Sequence, residues 1–429
     1  MAAPVMTSIA RGTEPLLLPA GLPAPDHVPA DRVLDLRFAM GYVPNDLADP
    51  YVFAQRLRAP GVPRLLWYPY PFTTFTCGAW TVSHYEDIQR VYEDNECFSA
   101  VGVAQFQVLA GETFPSLPLG SDPPDHGRYR RFLTPFFTPK ALNDMIPYIR
   151  SVVTEMIDGV ADEGTVDIAY DFGRIYPVRI FLNLMKLPFS MFEQFLAWEW
   201  EILHSGDPRR VGTAVAQVLA YLRGFIAEKQ KNPDDGVASY IANGVIDGRP
   251  LTDDERIGMT WFLWLGGLDT VASTISQMFR RLAMDPTLQQ RLRAHPELIN
   301  TAVEEFLRTQ PLVNSHRQAK KDFEWHGVTV KKGDWVICLN SAGNFDDKQF
   351  ACPHQFDPAR PVNRHYTFAG GIHACLGAHL ARRELRVLLE EFLRRVPPFR
   401  VAPGADTTVT PGLLSIRNLP LVWDGAVQS

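Results

Sequence analysis

Apolar residues recur at three- and four-residue intervals through residues 141–160, 190–203, 211–231, 253–284, 296–308 and 376–395. That spacing gives a helix one buried face. Period-two alternation is rare. Residues 74–82 (TFTCGAWTV) predict a short strand, running into Ser83-His84-Tyr85-Glu86, a capping box that starts a helix. FEWHGVTV from Phe323 and DWVICLN from Asp334 surround turn residues and predict a small β-hairpin region. No internal repeat and no low-complexity linker divides the chain, which favours one continuous unit, mainly α with minor β. Residues 1 to about 30, rich in proline and alanine, read as a flexible arm, and 31–429 as the folded unit.

The segment 253–284 is the longest of these patterns. Thr252 and Glu255 form a capping box at its start and Pro286 marks its end. Roughly 32 residues at 1.5 Å each give one helix of about 48 Å. Its centre is apolar nearly all round, as in a buried helix. Gly266 and Gly267 sit there, at a cost of about 2 kcal/mol in helix propensity relative to alanine. Asp269 adds a carboxylate among Trp, Leu and Val, and the Thr270 hydroxyl can bond back to a carbonyl and bend the helix. Two readings fit: close helix packing with a capped polar pair, or a place where a flat ligand lies against bare backbone with an acid and a hydroxyl at its edge.

Composition narrows the class. Of 429 residues, 46% are apolar and 21% charged, as in a soluble globular enzyme. The net charge of −6 offers no general attraction to nucleic acid or an anionic membrane. The longest apolar run, Met259 to Leu268, is too short to span a bilayer and contains two glycines. Cys77, Cys97, Cys338, Cys352 and Cys375 are odd in number and show no CxxC spacing, which points to a reducing, cytoplasmic setting.

One of these cysteines stands apart. In FAGGIHACLGAHLARRE, residues 368–384, Phe368, Gly371, His373, Cys375 and Gly377 follow the pattern F-x-x-G-x-H-x-C-x-G. A lone cysteine is ordinarily a small buried hydrophobe. Here the flanking glycines allow a tight loop and close approach of a planar group. The helix from Leu376 aims its N-terminal amides and positive dipole end at the sulfur, which favours a thiolate.

This segment resembles the haem-binding loop of the cytochrome P-450 family, haem-thiolate monooxygenases. Gly266 to Thr270 resemble that family's oxygen-binding helix, and Glu305 and Arg308 its Glu-x-x-Arg pair, joined by Arg360 of FDPAR. The likeness runs from about residue 33 to the C-terminus and is closest to the bacterial camphor-hydroxylase branch, through IANGVIDGRPLTDDE, LGGLDTV, HGVTVKKGD, HLARRE and LPLVWD. It implies a single-domain triangular prism with a long central oxygen-binding helix over haem b. Cys375 would be the iron ligand, shielded by Phe368, with Gly377 keeping the loop close to the porphyrin. His126, Arg130, Arg317 and His373 would hold the propionates, and Asp269 and Thr270 would deliver protons.

The pocket positions carried over are Phe106, Phe114, Phe262, Leu265, Val313, Leu413 and Leu414. Nearly all are apolar, which suits a compact terpenoid or norisoprenoid. Phe114 stands where the camphor enzyme has a tyrosine whose hydroxyl bonds the substrate ketone, so a different substrate is implied; Asn314 or His316 could supply another polar contact. The chain carries no flavin or iron–sulfur motif. Electrons would come from a [2Fe–2S] ferredoxin and its NAD(P)H-dependent reductase, docking near Arg130, Arg131 and Arg382, with no nucleic-acid or membrane partner. Competing readings are a haem-thiolate peroxygenase or nitric oxide reductase, and a haem sensor or electron carrier. Asp269-Thr270 weighs against the first pair and the apolar pocket against the second.

Overall fold

The structure, a computed structural model, describes residues 21–34, 51, 56–70, 77–205, 207–409 and 413–428. Residues 1–20 of the expected arm and 74–76 of the expected strand lie outside them. Residues 21–34 pack on the body: Leu22 N–H donates to Pro69 O (2.6 Å), Val28 is buried, and His27 Nε2 lies 2.9 Å from Asp334 Oδ2. The expected arm therefore does not extend through residues 21–30.

The helices that frame the molecule are α1 (Asp125–Leu133), α2 (Ile146–Asp158), α3 (Tyr176–Met185), α4 (Phe192–His204), α5 (Pro208–Lys231), α6 (Asp253–Gly266), α7 (Thr270–Met284), α8 (Ile299–Thr309) and α9 (Ala378–Arg395). The strands of the two larger sheets are β1 (Leu65–Tyr68), β2 (Ala79–Val82), β3 (Phe98–Ser99), β4 (Thr165–Asp167), β5 (Ser315–Ala319), β6 (Trp335–Cys338), β7 (Phe399–Val401) and β8 (Pro420–Trp423). The main sheet has the order β1-β2-β6-β5-β3 and a smaller one the order β7-β8-β4. Phe323–Trp325 and Val328–Val330 form the expected hairpin, but β6 joins the main sheet, parallel to β2 and antiparallel to β5, with Val336 opposite Arg317. No helix among the described residues is long and apolar enough to cross a membrane.

Two predicted helices are broken, each for a local reason. The segment 141–160 divides into Pro139–Asp144 and α2, because Pro147 sits in the first turn of α2 and cannot continue the preceding hydrogen-bond ladder. The segment 253–284 divides into α6 and α7. The Thr252–Glu255 capping box is present, with Glu255 N–H donating to Thr252 Oγ1 (3.2 Å) and Thr252 N–H to Glu255 Oε2 (2.7 Å). The ladder then fails after Gly266. Thr270 Oγ1–H donates to Gly266 O (3.3 Å), and helical bonding resumes with Ser273 N–H to Asp269 O (2.9 Å). The expected single 48 Å rod is thus a helix pair with a turn at its middle. The capping box expected at Ser83 is also absent: His84 is the N-cap of helix Tyr85–Glu93 and its side chain accepts no cap hydrogen bond, while Ser83 Oγ–H donates to Leu57 O.

Two apolar cores flank the centre. One gathers α2, α7, α8 and α9 around Phe279, Phe306 and Phe392. The other gathers α3, α4, α5 and α6 around Phe195, Leu222, Trp261 and Trp264. Where they meet, the chain leaves a cavity of about 410 Å³.

Candidate active site

Helix α9 starts with Gly377 at its N-cap and no side-chain cap. The amides of Gly377 and Ala378 instead lower the pKa of the Cys375 sulfur, and Ala378 N–H donates to Cys375 O (3.4 Å). The preceding loop is closed by Cys375 N–H to Phe368 O (2.9 Å) and Ala369 N–H to Tyr366 O (2.8 Å). Gly371 has φ +62°, and a β-carbon there would lie 2.1 Å from Tyr92 O, so no side chain fits. A β-carbon at Gly377 would lie 3.9 Å from the sulfur. The thiol opens into the cavity but is enclosed by protein behind. Burial raises its pKa above the ordinary thiol value, against the Gly377 and Ala378 amides and the charges of Arg130 and Arg382. The Gly377 and Ala378 amides pull toward the thiolate, as the helix-end reading expects, and burial pulls the other way.

Phe368, Cys375, Leu376, Gly377 and Leu380 line the cavity from the α9 side, and Phe262, Gly266, Thr270, Val271 and Thr274 line it from α6 and α7. The two glycines divide the readings left open above. Gly266 has no atom within 4 Å of its β-carbon position and presents bare backbone to the cavity. Gly267 also borders the cavity, but a β-carbon on it would strike Phe181 at 2.3 Å, so this glycine allows close packing against α3 as well.

His126 and Arg130 reach the cavity from α1, Arg317 from β5 and His373 from the cysteine loop. The His126 and His373 ring centroids are 4.2 Å apart. Among the described residues neither Arg130 nor Arg317 has a carboxylate partner; Arg317 donates to His316 O (2.7 Å) and its guanidinium lies over the Tyr92 ring. His373 Nδ1 is buried without a hydrogen-bond partner. Burial and the neighbouring arginine charges hold His126 at about 4 and His373 at about 2, so both are neutral donors near pH 7. Burial also lowers Arg130. One buried and one half-buried guanidinium group without a carboxylate partner among the described residues, two neutral imidazoles, a bare glycine backbone and a sulfur facing the same space fit a flat macrocycle with two carboxylates and a central metal.

Of the expected pocket residues, Phe106, Phe262 and Val313 line the cavity, and Asn314 and His316 do too. Phe114, Leu265, Leu413 and Leu414 are placed elsewhere. Phe114 is buried in the α3–α6 core and its carbonyl accepts from Gln107 Nε2 (2.7 Å). Leu265 packs in the same core, and Leu414 lies among Tyr51, Leu312 and Phe345. Leu413 is buried outside the lining. Their places are taken by Val103, Ala104, Leu119, Phe181 and Leu184. Phe181 and Leu184 belong to α3, which the periodicity reading omitted; Pro177 followed by VRIFLNLM was the available signal, proline being favoured in a helix's first turn. The Asn314 amide oxygen accepts from Ser341 N–H and Oγ–H (both 3.2 Å), so it is already engaged.

Thr270 faces the cavity, whereas Asp269 lies behind it and pairs with His204 (Nε2 to Oδ2, 3.2 Å). Glu305, Arg308 and Arg360 come together. Both Glu305 and Arg308 are fully buried; Arg308 grips Glu305 at 2.7 and 2.8 Å, and Arg360 Nε lies 3.1 Å from Glu305 Oε2. Asn363 Nδ2, which the motif did not flag, donates to the same carboxylate (2.9 Å). Of the expected docking cations, Arg131 is exposed, Arg130 turns into the cavity, and Arg382 is held by Glu304 at 2.6 and 2.9 Å.

The profile of the family described as Cytochrome P450 matches residues 178–413. A probable cytochrome P450 127A1 from Sinorhizobium fredii is 34% identical over 405 residues, 94% of this chain and 97% of that protein. A mycinamicin IV hydroxylase/epoxidase from Micromonospora griseorubida is 30% identical over 358 residues, covering 80% and 89%. Among solved structures, CYP101J2 superposes with a TM-score of 0.82 at 31% identity over 94% of this chain and all of that one.

Proposed function

The chain belongs to the cytochrome P450 family, and from that membership we propose that it is a haem b monooxygenase that hydroxylates a compact apolar molecule of terpenoid or norisoprenoid type, using Cys375 as the iron ligand. When bound, haem supplies the oxygen activation that puts one atom of O2 into a C–H bond and the other into water. The observation that carries the reading is the cavity, where the Cys375 sulfur, the unpaired Arg130 and Arg317 and the apolar side chains of Phe106, Phe181 and Phe262 share one space.

The chain's own residues divide the work. Cys375 ligates through a sulfur that the Gly377 and Ala378 amides orient. Arg130 and Arg317 meet the two propionates, and His126 and His373 donate neutral N–H bonds to them. Phe368, with the Arg382 guanidinium 4.6 Å over its ring, covers the sulfur from solvent. Thr270 holds a proton at Oγ1 beside bare Gly266 backbone and passes it into the cavity, with Asp269 behind it as source. The apolar lining excludes water and orients substrate by shape. The same cavity must hold the haem as well as the substrate, and its apolar side chains favour a compact apolar substrate in the space that remains.

A separate redox partner supplies the electrons, and we assign a [2Fe–2S] ferredoxin with its NAD(P)H-dependent reductase. The likeness to the camphor branch and the exposed Arg131 support this. Arg130 and Arg382 no longer do, being turned inward and ion-paired.

The test is spectral. Reduced, carbon monoxide-treated protein should show the red-shifted band of thiolate ligation, and a terpenoid panel should contain a ligand that shifts the iron to high spin. Thr270→Ala should keep both signals but release hydrogen peroxide in place of product. Absence of the red-shifted band removes Cys375 from the iron; full coupling in Thr270→Ala removes Thr270 from proton delivery.

A further inference from the structure

Behind Asp269, outside the cavity, α4 brings two titratable side chains against the turn between α6 and α7. Glu199, His204 and Asp269 each place a polar atom within 4.8 Å of the others. His204 Nε2 is 3.2 Å from Asp269 Oδ2, and Ser273 Oγ–H donates weakly to Asp269 Oδ1 (3.4 Å). Glu199 is 4% exposed and its Oε1 has no hydrogen-bond partner. Trp200 stacks on the His204 ring with centroids 4.1 Å apart, and Arg417 lies over Trp200, which fixes the imidazole toward Asp269.

A buried carboxylate with an orphaned oxygen beside a second carboxylate is untenable as a pair of anions. Among the described residues no cation is ion-paired to Glu199: Arg174, whose charge acts on it, is ion-paired to Glu193 at 3.0 Å. Burial first, and the Asp269 charge second, raise the Glu199 pKa well above the carboxylate range. Burial, the orphaned Oε1 and the nearby Asp269 together favour the protonated form of Glu199, which faces Asp269 within its cluster.

We propose that Glu199 is a proton-holding residue for the monooxygenase reaction, passing its proton to Asp269, with His204 as the clasp that keeps Asp269 in place. The proton leaves the Glu199 carboxyl for the Asp269 carboxylate, moves on through Thr270 Oγ1, and is replaced at Glu199 from water. Glu199 touches neither cofactor nor substrate and acts through Asp269. The inference rests on the reading of Asp269 and Thr270 given above.

Two measurements test it. Infrared titration of the full-length protein should show a protonated-carboxyl band at neutral pH that disappears in Glu199→Gln and shifts in Asp269→Asn. Lack of that band in the unaltered protein overturns the proposal whatever the variants do. With redox partners, Glu199→Gln should keep the carbon monoxide band and the substrate spin shift. It should slow product formation roughly 10–100-fold, as expected for losing an outer partner of a reacting group, enlarge the solvent isotope effect and flatten the pH profile, with Glu199→Asp recovering part of the rate. A wild-type rate and pH profile in Glu199→Gln, while Thr270→Ala still uncouples, overturns this inference alone. Full coupling in Thr270→Ala overturns the reading beneath it.

Discussion

Two buried cationic clusters sit on opposite footings in this protein. Around Glu305, each charged group has partners within the chain: Arg308, Arg360 and Asn363 donate to one carboxylate, the amide of Asp357 adds a fourth donor at 3.0 Å, and Arg308 Nη1 donates to Asn344 O and Pro353 O. Around the cavity, Arg130 and Arg317 face inward without a carboxylate, and His373 holds an unbonded ring nitrogen. Both clusters carry a desolvation cost. Only the first recovers it within the chain. A closed knot of this kind ties segments far apart in sequence into one fold, whereas an open cluster stores affinity for a ligand that brings the missing anions. The difference separates architecture from function more sharply than burial does.

The comparison can be broken at either end. Glu305→Gln removes the one anion of the closed knot and leaves two buried guanidinium groups uncompensated. The expected loss is about 3–5 kcal/mol, seen as a large fall in the denaturation midpoint of the haem-free chain. A small change would show that the knot is not what joins the α8 region to the loop carrying Arg360. Arg317→Ala should behave in the opposite sense. The haem-free chain should be no less stable, since an unpaired buried cation is removed. Haem affinity should fall by about 1.5–3 kcal/mol, roughly 10- to 150-fold, measured by transfer to apomyoglobin. Equal destabilisation with and without haem would erase the contrast between the clusters.

The smallest effect tests an intermediate case, Glu304, which is paired but lies nearer the surface. Burial pushes its carboxyl upward, yet hydrogen bonds from His365 and Arg382 prevail and hold it at about 2. A depressed folded-state pKa contributes stability above the unfolded carboxylate value, near 4.3, that is lost as pH falls toward about 2. Glu304→Gln should therefore be less stable than the unaltered protein at pH 6, with the gap narrowing through this acid window in urea titrations. A gap that persists at pH 2 would assign Glu304 a packing role.

The local patterns carried much of this outcome. Heptad-like apolar spacing located α4, α5, α8 and α9 to within a few residues, because amphipathic periodicity is set by what each segment must bury. The Thr252–Glu255 capping box needs only residues three apart, and it formed as read. The glycine–cysteine loop was legible for the same reason: its turn, its sulfur and its helix start lie within ten residues.

What lies beyond those patterns depended on partners from distant segments. Whether Gly267 packs or opens depends on Phe181, some 86 positions earlier, and the helix breaks beside it. Whether Phe114, Leu265, Leu413 and Leu414 face substrate or core depends on how two helical cores meet, which no single stretch records. Glu199 shows the limit most clearly. In the sequence it is one of three acids on α4; only the docking of α4 against the α6–α7 turn places it beside Asp269, with its Oε1 left without a hydrogen-bond partner among the described residues. Local sequence sets which residues want burial, turns and caps. Tertiary packing alone decides which charges are left facing one another, because that is a property of the contacts between segments.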